Sequence, residues 1–207
     1  MKLKLVLIFA LSLCFSEAYA RDYHVEIIVF QHGGSIEATD EIWNVDTSSA
    51  KAHDERLSSL AAKVDTVDFH SQLSRLAGVR SGLIESGHQI LQSLSWTQPS
   101  AVYQNAPVVA LSSPVSDRFN GFLKVYKTSL IFADLDMRLS DTVVKLPQPT
   151  VIEDINDADS VLASNQLAPV EVMENFYISE KRRLKFKEVH YFDHPVYGAI
   201  LGVWPKE

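Results

Sequence analysis

Cysteine is almost absent from this sequence: Cys14 is the only one in 207 residues. It lies within the first twenty positions, so the remainder of the chain forms no disulfide and must be held by an ordinary apolar core. Long apolar runs are scarce as well. Residues 5–15 make one of about eleven residues, short of the roughly 20 that a membrane helix needs, and no later run is long enough either. Basic charge is not in excess. Lys and Arg number 19 against 26 Asp and Glu, giving a formal net charge of −7. An acidic chain of this kind is a poor match for nucleic acid. There is no G-x-S-x-G elbow and no H-E-x-x-H, which removes the most recognisable serine-hydrolase and zinc-protease patterns. No internal repeat or low-complexity tract is present.

What is there begins with an export signal. Lys2 and Lys4 precede the apolar run, and Ala18-Tyr19-Ala20 forms an A-x-A cleavage site. This pattern predicts a secretory signal peptide over residues 1–20 and a single exported domain over 21–207, with no membrane span after cleavage. Lipidation at Cys14 fits less well, because Leu13 is larger than the small residue that lipoprotein cleavage prefers.

Periodicity then sets the elements. Residues 23–30 alternate, with Tyr23, Val25, Ile27 and Val29 on one face, and predict a buried strand. Long polar loops are expected at about 31–53 and 141–170. Asp54 can cap a helix carrying Leu57, Leu60, Ala61 and Val64. Asp65 or Thr66 can cap a second, longer helix reaching Ser86, with Gly87 as its stop. Residues 88–96 and 107–111 read as strands, the latter an edge. Residues 119–139 read as one long strand with a bend near 127–129. Residues 176–192 read as another strand, followed by a turn over 193–198 and a return over 199–204. The expected class is α+β: a mainly antiparallel sheet with one or two helices packed on one face and a C-terminal hairpin.

The chemistry concentrates between Glu180 and Trp204. With period two, Lys181, Arg183, Lys185 and Lys187 share one face and would stand roughly 6.5–7 Å apart. Such a ladder suits a linear polyanion, for example peptidoglycan stem peptides with free carboxylates. The plainer alternative is that edge lysines block strand pairing and that Asp134 and Asp136 pair across the sheet. His190, Asp193 and His194 have metal-ligating chemistry, but Pro195 and the alternation place them on strand and turn. There Asp193 caps the turn and a histidine bonds backbone. No metal or cofactor is expected. Trp96 reads as core, whereas Trp43 sits in a polar loop and is a candidate for stacking on sugar.

These motifs carry a resemblance. K-R-R at 181–183 followed by H-Y-F-D-H-P-V-Y-G at 190–198, with Y-H-V-E-I-I-V-F at 23–30, I-W-N-V-D at 42–46, L-S-W-T-Q-P at 94–99 and P-V-V-A-L at 107–111, resembles the CsiV family of periplasmic peptidoglycan-binding proteins. The sequence departs from the family at Ser129-Leu130-Ile131-Phe132, where Tyr-Leu-His is frequent, and at Lys187, where Gly is common. The resemblance implies a non-enzymatic protein of the periplasm of a Gram-negative bacterium. It would bind peptidoglycan and support wall synthesis by a bifunctional penicillin-binding protein and its outer-membrane lipoprotein activator. The signature positions present are Arg182, Arg183, His190, Tyr191, Asp193, His194, Pro195 and Gly198. The expected ligand-binding residues are Arg182, Arg183, Lys185, Lys187, His190, Tyr191, Asp193, His194 and Trp43. Two other readings stay open: a wall-active or metal-dependent hydrolase, and a protein–protein adaptor that does not touch peptidoglycan.

Overall fold

Among the described residues, apolar–polar alternation builds nine strands around a single interior, and two helices cover the outsides. The computed structural model describes residues 22–33, 47–113, 117–145 and 170–206. The expected signal segment, Trp43 and residues 146–169 of the acidic loop lie outside the described residues. In chain order the elements are β1 (Tyr23–Gln31), α1 (Thr47–Ala61), β2 (Asp68–Phe69), α2 (Ala77–Glu85), β3 (Gln89–Gln98), β4 (Val108–Ser112), β5 (Phe119–Lys127), β6 (Ile131–Lys145), β7 (Val170–Leu184), β8 (Val189–Asp193) and β9 (Tyr197–Pro205).

The class is α+β and mainly antiparallel, as the pattern predicts. The strands divide between two sheets, in the orders β2-β3-β1-β9-β8 and β4-β5-β6-β7. Their inner faces share one core. Val25, Ile27, Trp96, Leu201 and Val203 of the first sheet join Leu123, Val125, Ala133, Leu135 and Met137 of the second. Burying these faces against each other is the main stabilising term, as in any two-layer β structure. Each sheet also has a smaller outer core. On the first, Ile28 and Trp204 pack with Leu76, and Leu83 of α2 lies against them. On the second, Val108 and Phe122 pack with Leu57 of α1. The helices therefore cover opposite outer faces.

Five expectations about elements are corrected. The run 119–139 is a hairpin: β5 and β6 pair from Phe119↔Leu139 to Lys127↔Ile131, closed by Thr128-Ser129-Leu130. The long helix over 65–86 is shorter. Residues 68–69 pair with β3, and α2 starts only at Ala77. The buried carboxylate of Glu26 accepts the backbone N–H groups of Ser74, Arg75 and Leu76, which fixes the helix start from a distant strand. The first helix starts at Thr47, ahead of Asp54, and β6 continues through residues 141–145. Finally, 176–192 is two strands in different sheets. β7 ends at Leu184, and the chain crosses to the first sheet before β8 starts at Val189. Gly87 does stop α2, at φ 85°, a conformation that favours glycine.

Candidate functional site

The crossover between the sheets decides where the cations go. Lys187 adopts φ 64° and its N–H donates to the Val203 carbonyl at 2.9 Å, which turns the chain onto β9. The Lys185 N–H donates to His190 Nε2 at 3.1 Å and braces the same corner. The four expected cations do not form one ladder. Lys181 and Arg183 stay on the outer face of β7, opposite Asp134 and Phe132 of β6. Lys185 and Lys187 lie in the corner. Lys185 Nζ pairs with Glu188 at 3.2 Å, and Lys187 is exposed and unpaired among the described residues. Lys181 Nζ sits 4.5 Å over the Tyr103 ring. Arg182 ties the sheets together. Its guanidinium holds Glu180 at 2.6 Å, donates to the Tyr191 carbonyl at 2.6 Å and lies 4.6 Å from the Phe192 ring centroid.

The other signature residues gather on β8 and its turn. Register places Val189, Tyr191 and Asp193 opposite Gly202, Ile200 and Gly198 of β9, on the outward side of the first sheet. Tyr191 is 42 % exposed and Val189 52 %. A Cβ on Gly198 would meet Tyr191 Cε2 at 2.9 Å, so only glycine lets the phenol ring lie down on the strand. The ring stacks on Phe30, 6.1 Å away and tilted by 12°. The Tyr191 hydroxyl donates to Asp193 Oδ1 at 2.6 Å. Burial, and then this bond, raise the Tyr191 pKa above the ordinary phenol value. The Asp193 side chain is 65 % exposed.

Three residues that sequence reasoning missed complete the surface. Phe30 is buried beneath Tyr191, His32 and His88, with ring centroids of the two histidines at 5.4 and 5.2 Å. His32 and His88 themselves lie 5.3 Å apart. His32 Nε2 donates to the His194 carbonyl at 3.0 Å and comes within 3.6 Å of Asp193. The stop at Gly87 is what delivers His88, whose Nδ1 accepts the Gly33 N–H at 3.3 Å. The aromatic–histidine alternation F-Q-H at 30–32 was the only local signal for part of this rim.

His190 and His194 act on backbone. His194 Nδ1 accepts the Val196 N–H at 3.2 Å, and burial lowers its pKa, which favours the neutral acceptor. Asp193 does not cap the turn through a backbone bond; it accepts from Tyr191. Among the described residues no group of three or more His, Cys, Asp or Glu is arranged to hold a metal ion.

Two further polar clusters are accounted for by structure. Arg56 of α1 spans Asp134 and Asp136, at 2.7 Å each, while Tyr103 and Ser179 take the remaining carboxylate oxygens. Glu26 accepts from His24, Ser74, Arg75 and Leu76. His24, Glu26 and Ser74 do not make a charge-relay triad, because Glu26 and Ser74 both address the same atom, His24 Nε2. Burial pushes the Glu26 pKa up, but the bonds from His24, Arg75 and Ser74 outweigh it and bring it from 4.5 to about 2, which leaves a poor base.

The family described as peptidoglycan-binding protein CsiV matches residues 1–205. The chain belongs to this family. The match takes in both sheets, both helices and the β8–β9 hairpin, so the CsiV family defines the whole fold and not one motif of it. No curated protein and no solved structure matches the chain. The family description sets peptidoglycan binding as the coarse function and implies a location outside the cytoplasm, where peptidoglycan lies.

Proposed function

We propose that this CsiV-family protein binds peptidoglycan through the outward strip of β8. The strip runs from the Lys185–Lys187 corner, across Val189 and Tyr191, to Asp193 with His32 and His88. The observation that supports it best is Tyr191: an exposed aromatic ring held flat over Gly198 and stacked on Phe30. A flat, pre-ordered ring beside a carboxylate is suited to a sugar, whose C–H face stacks while its hydroxyls bond the acid. Holding the ring in place beforehand removes most of the ordering cost of binding. The family assignment supplies the polymer.

The protein acts in this reading as a binding accessory factor and not as an enzyme, in the periplasm after removal of residues 1–20. It supports synthesis by a bifunctional penicillin-binding protein and its lipoprotein activator, an extension that rests on the family resemblance alone. The test is co-sedimentation of the purified protein with sacculi, with Tyr191→Ala alongside and muropeptide release assayed in the supernatant. The proposal expects the parent to sediment, Tyr191→Ala to lose at least about tenfold in affinity, and no muropeptide to appear. Equal sedimentation of a folded Tyr191→Ala would move the contact elsewhere. Muropeptide release would favour the hydrolase, and absence of binding by the parent the adaptor.

A further inference from the structure

The β8 strip is electrically asymmetric, and this suggests which part of the polymer it reads. At one end stands the Asp193 carboxylate. Its Oδ1 accepts the Tyr191 hydroxyl, while Oδ2 has no partner among the described residues, and the group is 65 % exposed. Tyr191 and His32 lie beside it, and His88 joins them on the Phe30 ring. The His32 Nε2–H is already committed to the His194 carbonyl. No Lys or Arg lies on the outward side of β8, which carries Val189, Tyr191 and Asp193. At the other end, Lys187 is exposed and unpaired among the described residues, with Lys185 next to it in the corner. Strand β8 lies between them and spans about 13 Å from Val189 to Asp193 at roughly 3.3 Å per residue.

A uniform polyanion fits such a surface badly, because its charges would meet Asp193. A ligand with a positive group at one end and carboxylates at the other fits it. We infer that the Asp193 end takes a primary ammonium group, and that on peptidoglycan this is the free amino group of an uncrosslinked stem peptide. The inference rests on β8 being the contact surface. A carboxylate bonds an ammonium more strongly than a neutral hydroxyl, and aromatic faces attract the same cation through their quadrupoles. The stem-peptide carboxylates then point to the Lys187 corner. Crosslinking turns that amine into an amide and removes its charge. The strip therefore distinguishes stems whose amine is free from stems whose amine has been used in a crosslink.

The experiment compares native sacculi with sacculi whose free amino groups have been N-acetylated, for the parent protein and for Asp193→Asn. Asp193 is exposed and holds no backbone bond, so the substitution leaves the fold in place. N-acetylation is expected to weaken parent binding about tenfold. Asp193→Asn is expected to bind native sacculi as weakly as the parent binds acetylated ones, and to show no further loss on acetylation. Equal binding of the parent to native and acetylated sacculi overturns the inference while leaving peptidoglycan binding intact. Loss on acetylation with undiminished binding by Asp193→Asn also overturns it, since the amine is then read elsewhere. Failure of the parent to bind either preparation removes the underlying function as well.

Discussion

Glu26 takes a negative charge into a site with no exposure and makes it the start of a helix. Its folded pKa of about 2 lies below the ordinary 4.5, so the carboxylate stabilises the fold fully above about pH 4.5. That contribution, roughly 3 kcal/mol by linkage, is lost as pH falls from about 4.5 towards 2. Glu26→Gln should remove it at neutral pH and flatten the acid limb of a pH–stability curve measured by urea unfolding. Lys187 is the opposite case, a residue that works against its backbone. At φ 64° a side chain is strained by roughly 1 kcal/mol or more. Lys187→Gly should raise stability by about 0.5–1 kcal/mol, and Lys187→Val should lower it by at least about 1 kcal/mol. Neither role could be read from neighbouring residues, since the helix-start amides that Glu26 holds lie 48–50 positions away and Lys187 bonds Val203.

Among the elements, α1 is attached mainly by Leu57 and by Arg56 astride two buried carboxylates, Asp134 and Asp136. Removing the guanidinium leaves both acids without their cation. Arg56→Leu should therefore cost about 3–5 kcal/mol, and amide exchange should accelerate in α1 before it does in β1 or β9. The strands were legible where alternation ends at a Gly or Pro. They were misread where it continues through a turn. Val125 and Ile131 both face the core on either side of Thr128-Ser129-Leu130, so the pattern keeps its phase and the hairpin looks like one strand. The same happens at the crossover, where Leu184 and Phe192 both point inwards from different sheets. That shared phase is why Lys181 to Lys187 looked like a single ladder. Phe30, His32 and His88 escaped notice because two loops and a strand bring them together. The H-Y-F-D-H-P-V-Y-G run was visible, but its chemistry was legible only in part: Tyr191 and Asp193 face outwards, while His190 and His194 serve the backbone.

At the scale of the whole molecule, two sheets enclose one core, and each outer face carries a helix. The second sheet's outer face holds the Arg56 clasp. The first sheet's outer face is covered near Trp204 by Leu76 and α2, while β8 at its edge presents Tyr191 and Asp193. Tying β7 to β8 through Arg182 occupies the Tyr191 carbonyl on that edge, which limits strand addition there and keeps the side chains as the contact surface. On this proposal the two outer faces have different tasks. The most direct test is hydrogen–deuterium exchange of the full chain with and without soluble peptidoglycan fragments. Slower exchange confined to residues 30–33, the segment around His88, and 185–198 is the predicted result. Protection that falls instead on α1 and the outer face of the second sheet, with β8 unchanged, would contradict the assignment of the binding surface to β8.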